Sequence, residues 1–104
     1  MTAVAEVFRA LGDPVRLQMV QRLRKDPPCT IGSLSEGLGI TRQGARKHLQ
    51  VLVEAGLVSL RPKGRDVMVH LEPKTLEEAK AFISGIERQW EGRLEALKRS
   101  LEAS

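Results

Sequence analysis

Apolar residues along this chain fall first at helical spacing, then in strict alternation, then at helical spacing again. Val4, Val7, Phe8 and Leu11 share one helical face, which predicts a helix over about 3–11 closed by Gly12. Asp13-Pro14 then has the form of an N-cap and a first helical position. The second helix is expected to run to about Arg24 and to bury Val15, Met19, Val20 and Leu23. Asp26-Pro27-Pro28 stops it, because proline lacks the N–H that the helical ladder needs. Thr30 can cap a short third helix, with Ile31, Leu34 and Leu38 inward and Gly39 at its close. Gly39 and Ile40 are then all that precede Thr41, the expected cap of a fourth helix with Ala45, Leu49, Leu52 and Val53 inward. Two helices across so short a glycine-containing turn make a helix-turn-helix pattern.

After Gly56 the apolar period drops to two. Val58 and Leu60 alternate with Ser59 and Arg61, and Val67, Val69 and Leu71 alternate with Met68 and His70. Between them Arg61-Pro62-Lys63-Gly64 suits a type I turn, with proline second and glycine fourth. This predicts a β-hairpin whose tip carries Lys63 and Arg65, with His70 an exposed strand residue. Pro73 breaks the second strand, and Thr75-Leu76-Glu77-Glu78 fits a capping box opening a last helix over about 75–102. Its seam is Leu76, Ala79, Ile83, Ile86, Trp90, Leu94, Leu97 and Leu101. The expected fold is mainly α with a small β-hairpin, in the order α-α-α-α-β-β-α. That is a winged helix-turn-helix in one domain over residues 1–104.

Charge turns this arrangement toward function. The net charge of the 104 residues is +4. Residues 41–71 alone hold six Lys/Arg (Arg42, Arg46, Lys47, Arg61, Lys63, Arg65) against Glu54 and Asp66, so the whole excess lies in the middle third. The fourth helix presents Arg42, Gln43, Arg46, Lys47 and Gln50 with no acid before Glu54. Mixed signs would favour an isolated helix, so this face is suited to a negative partner. Arg can reach guanine O6/N7 and Gln adenine N6/N7 in a major groove, and residues near the start of a recognition helix reach base edges. Thr41 can donate its hydroxyl to a phosphate, where the helix N-terminus also favours one. His48, at the edge of the buried stripe, is either a packed residue or a phosphate contact.

Other chemistry is thin. No apolar run approaches the roughly 18 residues of a membrane span, and no signal-peptide core precedes Glu6 and Arg9. The lone Cys29, expected in a loop, cannot form an intrachain disulfide, and a cytoplasmic location is expected. No Ser/His/Asp or Cys/His set and no phosphate-binding glycine loop is visible, so no enzymatic activity and no cofactor are expected. The last helix is longer than a small domain needs, which points to a subunit interface along Trp90, Leu94, Leu97 and Leu101, joined by Val4, Val7 and Phe8 of the first helix. A winged-helix adaptor that binds protein instead of DNA is the competing reading; it predicts a fourth helix and wing free of basic residues.

The ordered segments VFRALGDPVRLQMVQRL, LSEGLGITRQGARKHLQVLVEAGLV and RPKGR resemble the ArsR/SmtB family of bacterial transcriptional repressors over about residues 4–71, and the last helix does so more loosely. The resemblance implies a homodimer that binds a palindromic operator in double-stranded DNA. The fourth helix and wing would do so through Thr41, Arg42, Gln43, Arg46, Lys47, Gln50, Lys63 and Arg65, with dimerisation through the first and last helices. The cysteine pair of metal-sensing members is replaced by Ile31 and Ser33, and the last helix has no His or Asp for zinc. Metal sensing is therefore not expected, and the ending IERQWEGRLEAL is similar to that of a non-metal-sensing branch, its effector unknown. Family members also often carry a Tyr late in the wing, where this chain offers Val69.

Overall fold

Local capping fixes where the helices begin. In the computed structural model, which describes residues 3–103, α1 spans Ala3–Leu11 and α2 spans Pro14–Lys25. Asp13 caps α2: its Oδ1 accepts from the backbone N–H of Val15 at 2.8 Å and of Arg16 at 3.1 Å. That satisfies two of the donors a helix start leaves open. A two-residue strand, β1 (Cys29–Thr30), follows, then α3 (Ile31–Ser35), α4 (Arg42–Glu54), β2 (Val58–Lys63), β3 (Asp66–Leu71) and α5 (Pro73–Ala103). Thr30 and Thr41 cap α3 and α4, each accepting from the N–H three residues on.

The sheet is antiparallel with strand order β1-β3-β2. β1 departs from expectation. Cys29 lies opposite Val69 in a strand instead of in a loop, because two residues carry too little alternation to be read as one. Pro62 is tolerated because β2 is an edge strand. Met19, Leu23, Leu34, Leu49, Leu52, Leu57 and Val69 are fully buried and join α2, α3, α4 and β3 in one core. Each large apolar side chain so buried contributes about 2 kcal/mol.

Four further details differ from expectation. α3 ends at Ser35, not near Leu38, so residues 36–40 form the connection to Thr41. Gly37 and Gly39 both have positive φ there, which ends a right-handed helix early. The hairpin turn is Gly64-Arg65, with Arg61 and Pro62 inside β2 and Lys63 opposite Asp66. Gly64 has φ +62 and Arg65 a negative φ, the pattern of a two-residue type II′ turn, which matches strand twist better than type I. α5 begins at Pro73 instead of Thr75, since proline suits a first helical turn. His70 is half-buried, not exposed.

At 31 residues and about 1.5 Å each, α5 is roughly 46 Å long. Its start packs on the core through Leu76 and Ala79, and Phe82 meets Phe8 of α1 with ring centroids 5.9 Å apart. Beyond that contact it runs outward, and the molecule measures 69 × 27 × 26 Å.

Candidate nucleic-acid interface

α4 has two unlike sides. Ala45, Leu49 and Leu52 are buried, whereas Thr41, Arg42, Gln43, Arg46, Lys47 and Gln50 are exposed at its start and along its outer face. Thr41 Oγ1 accepts from Gly44 N–H at 2.9 Å. A Cβ on Gly44 would come within 3.2 Å of that oxygen, so the glycine protects the cap of its own helix. Gln50 donates to Glu54 Oε1 at 3.2 Å, one turn on.

Lys63, Gly64 and Arg65 form the exposed tip of the β2–β3 wing. Arg61 is partly neutralised by Glu72, with Nη2 and Oε1 3.7 Å apart. A cleft of about 330 Å³ separates the wing from α4, and Arg42, Arg46 and Arg65 all line it beside Thr30, Ser35 and Asp66. Residues far apart in sequence therefore bring three guanidiniums to one opening, with one carboxylate against them. Their field favours an anion.

Two arginines that the charge pattern leaves unexplained hold this scaffold. Arg22 Nη1 donates to the carbonyls of Leu34 (3.0 Å), Ser33 and Glu36, where the end of α3 leaves acceptors open. Arg16 Nε donates to the Ala10 carbonyl at 2.7 Å, and its Nη1 lies 3.2 Å from His48 Nδ1. Their partners are backbone carbonyls or a distant side chain, so the sequence carries no signal of either role. His48 is packed against α2 and not presented with the basic face. The Arg16 N–H chiefly holds the Asp13 carboxyl below its usual range; desolvation opposes it, and the Val15 N–H and the charges of Arg16 and His48 add to the lowering.

The expected subunit-interface residues divide. Trp90, Leu94, Leu97 and Leu101 are 57–68% exposed, and Phe82, Ile83 and Ile86 extend the same exposed seam. Val4 and Phe8 are half-buried. Val7 is a correction: at 2% exposure it belongs to the core of its own chain and has no surface to offer a partner. Cys29 donates its S–H to the Asp26 carbonyl at 2.9 Å. Burial, and then the charge of Asp26, push its thiol up, with Arg22 opposing, so it stays protonated near neutral pH. Among the described residues no group of three His, Cys, Asp or Glu could hold a metal, and no helix is long and apolar enough to cross a membrane.

Residues 11–61 match the helix-turn-helix domain family. The transcriptional repressor SmtB of Mycobacterium tuberculosis is 34% identical over 71 residues, or 68% of this chain and 52% of that protein; the chain spans about half its length. The transcriptional regulator Rv2034 of the same organism is 34% identical over 83 residues, covering 80% of this chain and 74% of its own. An ArsR-like transcriptional regulator from Rhodococcus sp. RHA1 superimposes with a TM-score of 0.78 at 30% identity, over 93% of this chain and 91% of that one. With that fold, and with a relative matched over most of its length, the chain belongs to the ArsR/SmtB family of winged helix-turn-helix transcriptional regulators.

Proposed function

We propose that this protein is a sequence-specific DNA-binding repressor that acts as a homodimer on a roughly palindromic operator. One observation carries the reading: the exposed Arg42, Gln43, Arg46 and Lys47 face of α4, which stands beside a wing tipped by Lys63 and Arg65 across a cleft lined by arginines. α4 enters the major groove with Gln43 and Arg46 at base edges. Thr41, Arg42, Lys47 and Gln50 position it, and Lys63 and Arg65 grip the backbone. The repressor named among its relatives supports the direction of control. The exposed α5 seam supports the dimer, since a twofold pair presents two recognition helices. The basic α4 and wing count against a protein-binding adaptor.

Selection from a pool of random-sequence duplexes with the purified protein tests the reading. A recovered common motif is the expected result, and failure to retain any duplex above background overturns it. On the recovered motif, Arg46→Ala and Gln43→Ala are each expected to weaken binding by roughly 1–3 kcal/mol and to relax preference at particular base pairs. Equal weakening on motif and random duplex would demote both to phosphate contacts.

A further inference from the structure

The apolar contacts that seat α4 set which of its faces is buried, through Ala45, Leu49 and Leu52. A directional polar contact narrows the roll that such packing leaves. At the roughly 6 Å radius of a helix with its side chains, about 10° of roll moves a side-chain tip by about 1 Å. A bidentate contact needs its groups held to within about 0.5 Å, so a roll of that size is enough to spoil it.

His48 supplies a direction. It lies on the side of α4 away from Gln43, about 140° round the helix at 3.6 residues per turn. Its Nδ1 is 3.2 Å from Nη1 of Arg16 on α2. A guanidinium only donates, so Nδ1 is the accepting atom of this bond. Arg16 is itself fixed, because its Nε donates to the Ala10 carbonyl near the end of α1 at 2.7 Å. Asp13, held as the α2 cap, stands 4.0 Å from both the arginine and the histidine. The side chains are partly buried, at 17% exposure for Arg16 and 24% for His48, so water competes little for the bond.

We infer that Arg16 and His48 are positioning residues for DNA recognition: their hydrogen bond sets the roll of α4 so that its outer face meets base edges in register. Neither touches DNA. The inference rests on the DNA-binding reading above and deepens it by assigning specificity to two residues outside the basic face.

The test uses two isosteres of His48 and two probes, the duplex motif selected with the wild type and a random-sequence duplex. His48→Asn places its Oδ1 two bonds from Cβ, where Nδ1 stood, and keeps an acceptor for Arg16. His48→Gln places its polar atoms one bond further out, near the Nε2 position, and leaves Arg16 unmatched. His48→Gln should lose about tenfold in affinity for the motif and less than about twofold for random duplex, as loss of a charged hydrogen bond implies. His48→Asn should stay within about twofold of wild type on both. Arg16→Met should resemble His48→Gln, and the double variant should weaken binding by less than the two single effects combined. Thermal unfolding of each protein separates loss of fold from loss of register. Asn falling with Gln, equal weakening on both probes, or full additivity in the double variant overturns the inference. A wild type that selects no duplex instead overturns the DNA-binding reading, and this inference falls with it.

Discussion

Asp13 shows how a single residue can be legible in one role and hidden in another. Its capping role follows from the step into Pro14 and needs no knowledge of the fold, because the N–H groups it accepts belong to Val15 and Arg16. Its place beside His48 does not follow, since the Arg16–His48 bond joins positions 32 apart. The charge on Asp13 makes a pH-dependent contribution whose sign is fixed. Its carboxyl ionises at lower pH folded than at the ordinary 3.8 of the unfolded chain, so the linked stabilisation is complete above that value. It is lost as pH falls through the folded pKa. Asp13→Asn keeps an accepting oxygen at the cap but removes the charge. Urea unfolding of both proteins across a pH series should show wild type the more stable near about pH 7, with the gap closing toward about pH 2. A gap that stays constant with pH would mean the charge is not what matters. Asp13→Ala should cost about 1 kcal/mol further through loss of the cap.

At the scale of elements, the wing is where electrostatics makes the sharpest forecast. Lys63 and Arg65 flank Gly64 at an exposed two-residue turn, a tip suited to contact with the DNA backbone. Replacing both with Ala should weaken binding to all duplexes alike. It should also flatten the dependence of log affinity on log salt by about 0.9 for each phosphate that is no longer neutralised. An unchanged slope would mean that the wing stands clear of DNA. Helices long enough to repeat their period, α1, α2, α4 and α5, are readable from the sequence, as are the Asp13 and Thr41 caps of α2 and α4 and both hairpin strands. β1 and the true length of α3 are not, because a two-residue strand and a five-residue helix have no period to detect. Pro62 and Gly64 draw the turn two residues too early, since proline in an edge strand and proline in a type I turn look alike in sequence. The basic residues of the candidate interface are legible one by one. What needs the fold is the cleft that gathers Arg42, Arg46 and Arg65, because tertiary packing alone brings α4 against the wing.

For the molecule as a whole, the question is what covers the outer part of α5. Its exposed seam runs from Phe82 to Leu101, and Phe82 also meets Phe8 of α1. Trp90 has a cation–π neighbour in Arg93 at 5.8 Å on the same helix, which leaves most of the indole in solvent. An apolar stripe of that length on a monomer favours association, and a twofold pair would bury the same stripe on both copies. Half-buried Val4 and Phe8 can border the seam, but Val7 cannot, because the core of its own chain already holds it. The expected species without DNA therefore has twice the monomer mass of 11.5 kDa. Its two α4 helices would address half-sites about one DNA turn apart, or a multiple of it. Leu94→Glu with Leu97→Glu places four carboxylates in the paired seam and should yield folded monomers, since both positions lie far from the core. Affinity for a palindromic duplex should then fall steeply, while affinity for a single half-site changes little. Sedimentation equilibrium at micromolar concentration decides the point. A monomeric wild type would remove the dimer from the proposal, and a double variant that stays dimeric would move the interface off α5.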